Sequence, residues 1–419
     1  MLTKELNDLL THTGPGTPMG GFLRRYWLPA LLSEEIPEPD CPPVQVRLLG
    51  EELVVYRDSE GRIGLLEEHC LHRGTSLFYG RNEECGLRCI YHGWKYDVTG
   101  KVLDTPAEPA GSSFKDRLKH VAYPTHETAG MIWAYLGPPD KQPIFPNYTY
   151  TQLGPEHTYV SKSLLECNYL QGLEGECDSS HLSFLHREMT NSERVEPLLG
   201  ERTQALLQRD VAPRYEFEET DFGVRLIALR DAGADTYVRI SSFVMPTHAW
   251  INGRVPEVHY YVPADDTHTW RYDLGMIPHR PVGPADLHKA PEIGHDYRRK
   301  RNIDNGYLQD RAKQRAADFT GIENFFVEDA CATETQGPIW DRSRERLGVS
   351  DRAVIVVRNA IIDALRGYQA GREPPHLVAD PAHNHFEHVA AVQACIPATS
   401  DWHEHFPKLV ASATRNGSR

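Results

Sequence analysis

The sequence predicts an α+β protein in two parts: a small antiparallel β domain, then a larger domain that combines a sheet with longer helices. Three observations carry this. Residues 40–138 read as many short strands punctuated by Gly and Pro. The run Pro138-Pro139-Asp140-Lys141-Gln142-Pro143, with Pro146 beyond it, marks a linker, after which the elements lengthen. A chain of 419 residues is also too long for one ordinary core. The expected divisions are 1–39 (helical and irregular), 40–145 (β) and 146–419 (mixed).

Residues 2–10 predict a short helix, broken by the turn residues of 13–21. Tyr26–Leu32 is an apolar packing element. Residues 44–56 predict two strands about Gly50-Glu51. Further strands are expected at Ile63–Glu68, Leu87–Ile90, Trp94–Val98 and Ile132–Tyr135, with a turn at Asp97–Gly100. Beyond the linker, residues 214–276 return to strands. Residues 281–300 predict an irregular excursion, and 310–318 and 320–336 predict helices. Ser350 is placed to N-cap a helix over 351–370, whose stripe Val354, Val357, Ile361, Leu365 and Tyr368 is core. The tail after Pro374 is expected to be loose and peripheral.

Composition removes several function classes. The net charge of −14, from 45 basic and 59 acidic residues, argues against nucleic acid and anionic membrane as partners. No apolar run approaches a membrane span, and Met1–Asn7 lacks the basic start and apolar run of a signal peptide. The eight cysteines form no compact disulfide framework, consistent with a reducing cytoplasm.

Two stretches carry chemistry. Cys70-Leu71-His72 and Cys89-Ile90-Tyr91-His92 each offer one thiolate and one imidazole from a tight loop. That set suits a [2Fe–2S] cluster with two cysteines on one iron and two histidines on the other. The alternative is a structural zinc site, but zinc sites more often pair like ligands within each half. Cys85 and His69 fit neither half and read as non-ligands. The second stretch is Asp178-Ser179-Ser180-His181-Leu182-Ser183-Phe184-Leu185-His186. Asp178 and His181, three apart, would share a helical face. His181 and His186 lie five apart, roughly 140° out of phase on an ideal helix. Joint ligation therefore predicts an irregular backbone over 182–186. Two histidines and a distant carboxylate would form a facial triad on Fe(II), leaving positions open for dioxygen. Arg239, in a strand run, could face either a pocket or solvent; in a pocket it would grip a carboxylate with its fork.

Cys70-Leu71-His72-Arg73-Gly74 and Cys89-Ile90-Tyr91-His92-Gly93-Trp94 resemble the Rieske signature. The flanks Arg24-Arg25-Tyr26-Trp27 and Gly130–Pro138 fit as well. With the later motifs, nearly the whole chain resembles the α subunits of Rieske non-haem iron oxygenases, in the phthalate dioxygenase and aromatic O-demethylase group. The resemblance implies a Rieske domain followed by a helix-grip-like catalytic domain with a curved sheet. It implies iron ligation by His181, His186 and Asp329, with Glu328 as the fallback carboxylate, since the related pattern more often has Gln there. It further implies a bridging role for Asp178, a place near the iron for Asn168, and substrate-acid binding by Arg239. The implied reaction is O2-dependent hydroxylation or dihydroxylation of an aromatic acid, or O-demethylation of a methoxylated one. A separate NAD(P)H-dependent reductase is needed, because no G-x-G-x-x-G fingerprint occurs here. The implied assembly is a head-to-tail homotrimer. Competing readings are a Rieske electron carrier, which would have no use for anything past residue 140, and a relative that has lost catalysis.

Overall fold

The computed structural model describes residues 2–109, 111–187, 201–253, 255–287 and 292–415. Helices α1 (Lys4–Thr11) and α2 (Pro18–Leu23) open the chain, each N-capped by a threonine hydroxyl, Thr3 and Thr17. Strand β1 (Trp27–Leu32) follows. The hairpin β2 (Val44–Leu48) and β3 (Glu51–Arg57) turns at Leu49-Gly50 with both φ positive, 50° and 75°, which matches the right-handed twist of the strands. Then come β4 (Ile63–Glu67), β5 (Arg81–Glu83), β6 (Gly86–Arg88), β7 (Lys95–Tyr96), β8 (Val102–Asp104), β9 (Ala122–Tyr123), β10 (Thr125–Thr128) and β11 (Met131–Tyr135). They form three small antiparallel sheets, ordered β2-β3-β4-β9, β5-β6-β7-β8 and β1-β11-β10. The opening segment is thus hydrogen-bonded into the β domain, since Trp27 of β1 pairs with Tyr135 of β11.

The second domain is built on one antiparallel sheet. Its strands are β12 (Thr158–Leu165), β13 (Arg214–Glu219), β14 (Gly223–Asp231), β15 (Asp235–Val244), β16 (His248–Asn252), β17 (Pro256–Pro263), β18 (Thr269–Met276) and β19 (Val392–Pro397). The order is β12-β18-β17-β16-β15-β14-β13, with β19 also pairing with β15. Helix α3 (Tyr169–Cys177) packs on β16 and β17, and α4 (Glu201–Arg209) on β14. Helices α5 (Arg311–Ala316), α6 (Phe325–Glu334), α7 (Arg352–Gln369) and α8 (Trp402–Arg415) complete the chain. Residues 281–287 and 292–300 contain no regular helix or strand, as expected.

Strand β14 shows why the sheet reads as a continuous apolar run. Val224, Leu226 and Ala228 face the main core, whereas Ile227 and Leu229 face a second core under α8. That second core overturns the expectation of a loose tail. Val392 and Ile396 of β19 and Trp402 of α8 are buried in it, so the tail adds a strand where solvent would otherwise meet apolar side chains. Helix α7 starts at Arg352, after a 3₁₀ turn at Val349–Asp351, so Asp351 rather than Ser350 precedes it. The main core runs without interruption from Leu10 through β1, β3 and β11 to α3, α7 and the large sheet. Trp133 of β11 meets Tyr260 of β17 edge-on at 5.2 Å, and Lys162 of β12 is paired with Glu35 at 2.8 Å. The two domains therefore share one apolar interior. Among the described residues no helix is long and apolar enough to cross a membrane.

Close approach of α3 to β17 requires Gly172, where a Cβ would fall 2.4 Å from the Tyr261 ring. Gly172→Ala is expected to destabilise the protein by about 1–3 kcal/mol through overpacking, read as a lowered thermal midpoint.

Two candidate metal centres

The cysteine–histidine loops share one backbone design. In the first, the Cys70 N–H donates to Thr75 O and the Gly74 N–H donates back to Cys70 O. In the second, Cys89 N–H donates to Trp94 O and Gly93 N–H to Cys89 O. Both glycines, four residues after their cysteine, have φ near +70°, 72° and 74°. Both cysteines are buried, in a small core with Leu87, Trp94 and Tyr96. Burial, and Cys70 beside it, raise the Cys89 thiol pKa. The two imidazoles meet at the tip, His72 and His92 having ring centroids 4.4 Å apart. His72 also stacks on Trp94 at 4.6 Å. The buried Tyr96 hydroxyl sits 3.0 Å from Cys70 Sγ. Around the tip Leu71, Ile90 and Tyr91 are exposed, at 41%, 58% and 55%. Two thiols below and two imidazoles above are the donor set a mixed-ligand [2Fe–2S] cluster needs.

The second constellation lies where α3 gives way to irregular chain. Helix α3 stops at Cys177, and Asp178 takes an extended conformation. Its carboxylate accepts the N–H groups of Ser180 and His181, at 2.7 and 3.0 Å, and starts a 3₁₀ turn, His181–Ser183. Asp178 and His181 are therefore neighbours through a cap, not through a shared helical face. Phe184 then leaves helical geometry, at φ −127° and ψ −62°, which brings His186 round. The backbone is irregular where joint ligation required it. His181, His186 and Asp329 of α6 bring one potential ligand atom each within 4.8 Å of one another. His186 Nε2 lies 3.0 Å from Asp329 Oδ1. Burial disfavours charge on His186, but Asp329 and Glu328 outweigh it and raise its pKa to about 9. Asp329 is held well below the usual carboxylate range, because His186 and Arg271 overcome its burial. His181 Nδ1 is buried without a hydrogen-bond partner among the described residues. An orphaned imidazole nitrogen, a second imidazole and a carboxylate converging on one point fit a divalent transition metal.

Two of the three, His181 and Asp329, border two cavities. One, of about 390 Å³, lies between α3, α6 and α7 and includes Arg271, Trp340 and Arg358 in its wall. The other, about 40 Å³, lies toward β15 and β17, and Arg239, Ser241 and His259 line it. Asp178, His181 and Asp329 line both.

Comparison with known proteins bears on both centres. Residues 26–122 match the family described as "Rieske [2Fe-2S] domain", and residues 134–417 match "LigXa C-terminal domain like". The chain belongs to the Rieske non-haem iron oxygenases. It is 40% identical to the phthalate 4,5-dioxygenase oxygenase subunit of Pseudomonas putida, over 98% of this chain and 96% of the relative. It is 31% identical to the 5,5'-dehydrodivanillate O-demethylase oxygenase subunit of a Sphingobium species, over 92% and 85%. The terminal oxygenase of carbazole 1,9a-dioxygenase from Novosphingobium sp. KA1 shares its fold, with TM-score 0.56 and 19% identity over 88% of this chain and 96% of that one. The protein is an oxygenase α subunit, an oxidoreductase with a Rieske cluster, a mononuclear iron and O2 as co-substrate. Its electrons come from a separate electron-transfer protein.

Within the oxygenase, other anticipated residues fall in different places. Arg239 is buried, not solvent-facing, and donates to Gln393 Oε1 at 2.9 Å and Asn252 O at 2.8 Å. Gln393 comes from the tail strand β19. Asn168 lines neither of the two cavities. It is the N-cap of α3, accepting from Leu170 N–H and donating to Thr11 O and Asp266 O. Its amide is committed to holding α1, α3 and the β17–β18 turn together. Glu328 lies on the far side of His186, its Oε2 2.8 Å from Nδ1. A buried charged group outside the sequence motifs adjoins the triad: His259 Nδ1 lies 2.8 Å from Glu176 and Nε2 3.1 Å from Glu257, and Arg271 contacts His259, Asp273 and Asp329. The signal was present in β17, where Glu257 and His259 alternate inside an apolar strand.

Asn168→Ala is expected to cost about 1–3 kcal/mol by stranding buried carbonyls and uncapping α3. The folded fraction should keep the iron content of the parent, measured by metal analysis beside a denaturation curve.

Proposed function

We propose that this oxygenase hydroxylates or dihydroxylates an aromatic carboxylic acid, with Arg239 holding the acid group. The observation that carries this is Arg239 in the wall of the cavity that also contains His181 and Asp329. In this reading Cys70, His72, Cys89 and His92 hold the Rieske cluster, and His181, His186 and Asp329 hold the iron. Together these centres supply one-electron transfer and O2 activation. The protein's own residues do the rest. Two of Arg239's five N–H donors are engaged, by Gln393 and Asn252, among the described residues. The guanidinium is thereby fixed with capacity for a substrate oxygen. Ser241 lines the same cavity as Arg239 and could add a polar contact to the acid group. O-demethylation of a methoxylated aromatic acid is the alternative, favoured by the relative that is an O-demethylase subunit.

The test supplies an NAD(P)H-dependent reductase and follows oxygen uptake across aromatic acids, their methyl esters and methoxylated analogues. Hydroxylated product without formaldehyde supports the first reading, and stoichiometric formaldehyde the second. Arg239→Ala should lower kcat/KM for the free acid roughly ten- to a hundredfold, the value of a charge-assisted bond. Equal losses on acid and ester would give Arg239 a packing role only.

The same reading includes a head-to-tail trimer in which Asp178 bridges to His72 or His92 of the next subunit. Supporting it, Asp178 is partly exposed beside His181, and the cluster tip offers an apolar rim at Leu71, Ile90 and Tyr91. Heterologous contacts of this kind close into rings. A His72→Ala chain co-assembled with a His181→Ala chain should regain turnover that neither has alone. Inactivity despite verified mixing, or an active monomer, counts against transfer between subunits.

A further inference from the structure

We propose that Glu328 is a positioning residue for the mononuclear iron: its carboxylate holds the Nδ1 proton of His186, which turns the Nε2 lone pair toward the metal. This rests on the ligand reading given above.

The geometry is specific. His186 is 1% exposed, and Phe325 stacks on its ring at 3.5 Å with an 11° interplanar angle. Glu328 and Asp329 are consecutive on α6, about 100° apart round the helix, and straddle that ring. Glu328 Oε2 is 2.8 Å from Nδ1, and Asp329 Oδ1 is 3.0 Å from Nε2. Asp329, which groups with His181 and His186, is met by Nε2, whereas Glu328, met by Nδ1, does not belong to that group. An ion held by His181, His186 and Asp329 would therefore be met by Nε2, with Glu328 left on the Nδ1 side of the ring.

Glu328 is itself prepared for the role. It is 1% exposed, and its other oxygen accepts the Thr320 hydroxyl at 2.5 Å. With the Thr320 hydroxyl donating to Oε1, Oε2 is placed to accept a proton carried on His186 Nδ1. That fixes one imidazole tautomer and leaves Nε2 as the metal donor. The negative charge beyond the ring also makes His186 a more basic ligand, as carboxylate partners of metal-bound histidines do.

The test uses the full chain with its Rieske cluster intact, stripped of mononuclear iron by chelation, and titrated anaerobically with Fe(II) and with Co(II). Glu328→Ala should bind both metals about 10–100-fold more weakly, with an altered Co(II) d–d spectrum. Glu328→Gln keeps an acceptor for Nδ1–H but loses the charge, so it should fall between Ala and the parent. The red cluster chromophore reports whether each variant is folded. Parental affinity and an unchanged Co(II) spectrum in Glu328→Ala would overturn the proposal. So would complete loss of metal in Glu328→Ala with retention in Asp329→Ala, which would make Glu328 the ligand. If Glu328→Ala does not accumulate, Glu328→Gln decides alone: severalfold weaker binding supports the role, and parental affinity overturns it. Retention of metal by both His186→Ala and Asp329→Ala would instead defeat the ligand reading, a different failure.

Discussion

Two imidazoles and a carboxylate must reach one point inside a protein, and an α-helix cannot deliver two histidines five residues apart to it. The catalytic domain is arranged around the break that resolves this. Asp178 ends α3 and caps the next turn with its carboxylate, so the chain changes direction without stranding backbone N–H groups. Helix α6 then supplies the acid from far along the sequence. The close fit of Gly172 on Tyr261, which holds α3 in place, therefore also helps position His181 and His186 toward Asp329.

Charge is the second organising element. Asp329 touches His186 on one side and Arg271 on the other, and Arg271 continues into Asp273, His259 and Glu176. Isolated, each would be costly to bury; paired and hydrogen-bonded, they give the site rigid polar walls. The Rieske loops follow the opposite design. Their thiols sit in an apolar core and their imidazoles stand at the loop tip, so a cluster held there would have its histidine side nearest solvent. The Tyr96 hydroxyl beside Cys70 adds a hydrogen bond of the kind that tunes such clusters.

Much of this was legible in the residues. The mixed Cys/His order of the two loops identified the cluster, because ligand chemistry is local to each motif. The five-residue spacing of His181 and His186 required a broken helix, and helix geometry alone sufficed to say so. Alternating apolar strands with Gly and Pro punctuation set the α+β class and the order of the two domains.

What the tertiary structure decided were pairings between distant residues, which no local pattern encodes. Asn168 has the residue type of a site group and the job of a helix cap, because Thr11 O and Asp266 O happen to converge on it. The tail read as loose and peripheral, yet one side of β15 and β14 gave its apolar residues a surface to cover, and with them came Gln393 to meet Arg239. Sequence left Asp329 and Glu328 as rival carboxylates. Adjacent positions on a helix point in different directions, so only the placement of α6 against His186 shows that Asp329 stands on the side of convergence and Glu328 behind it.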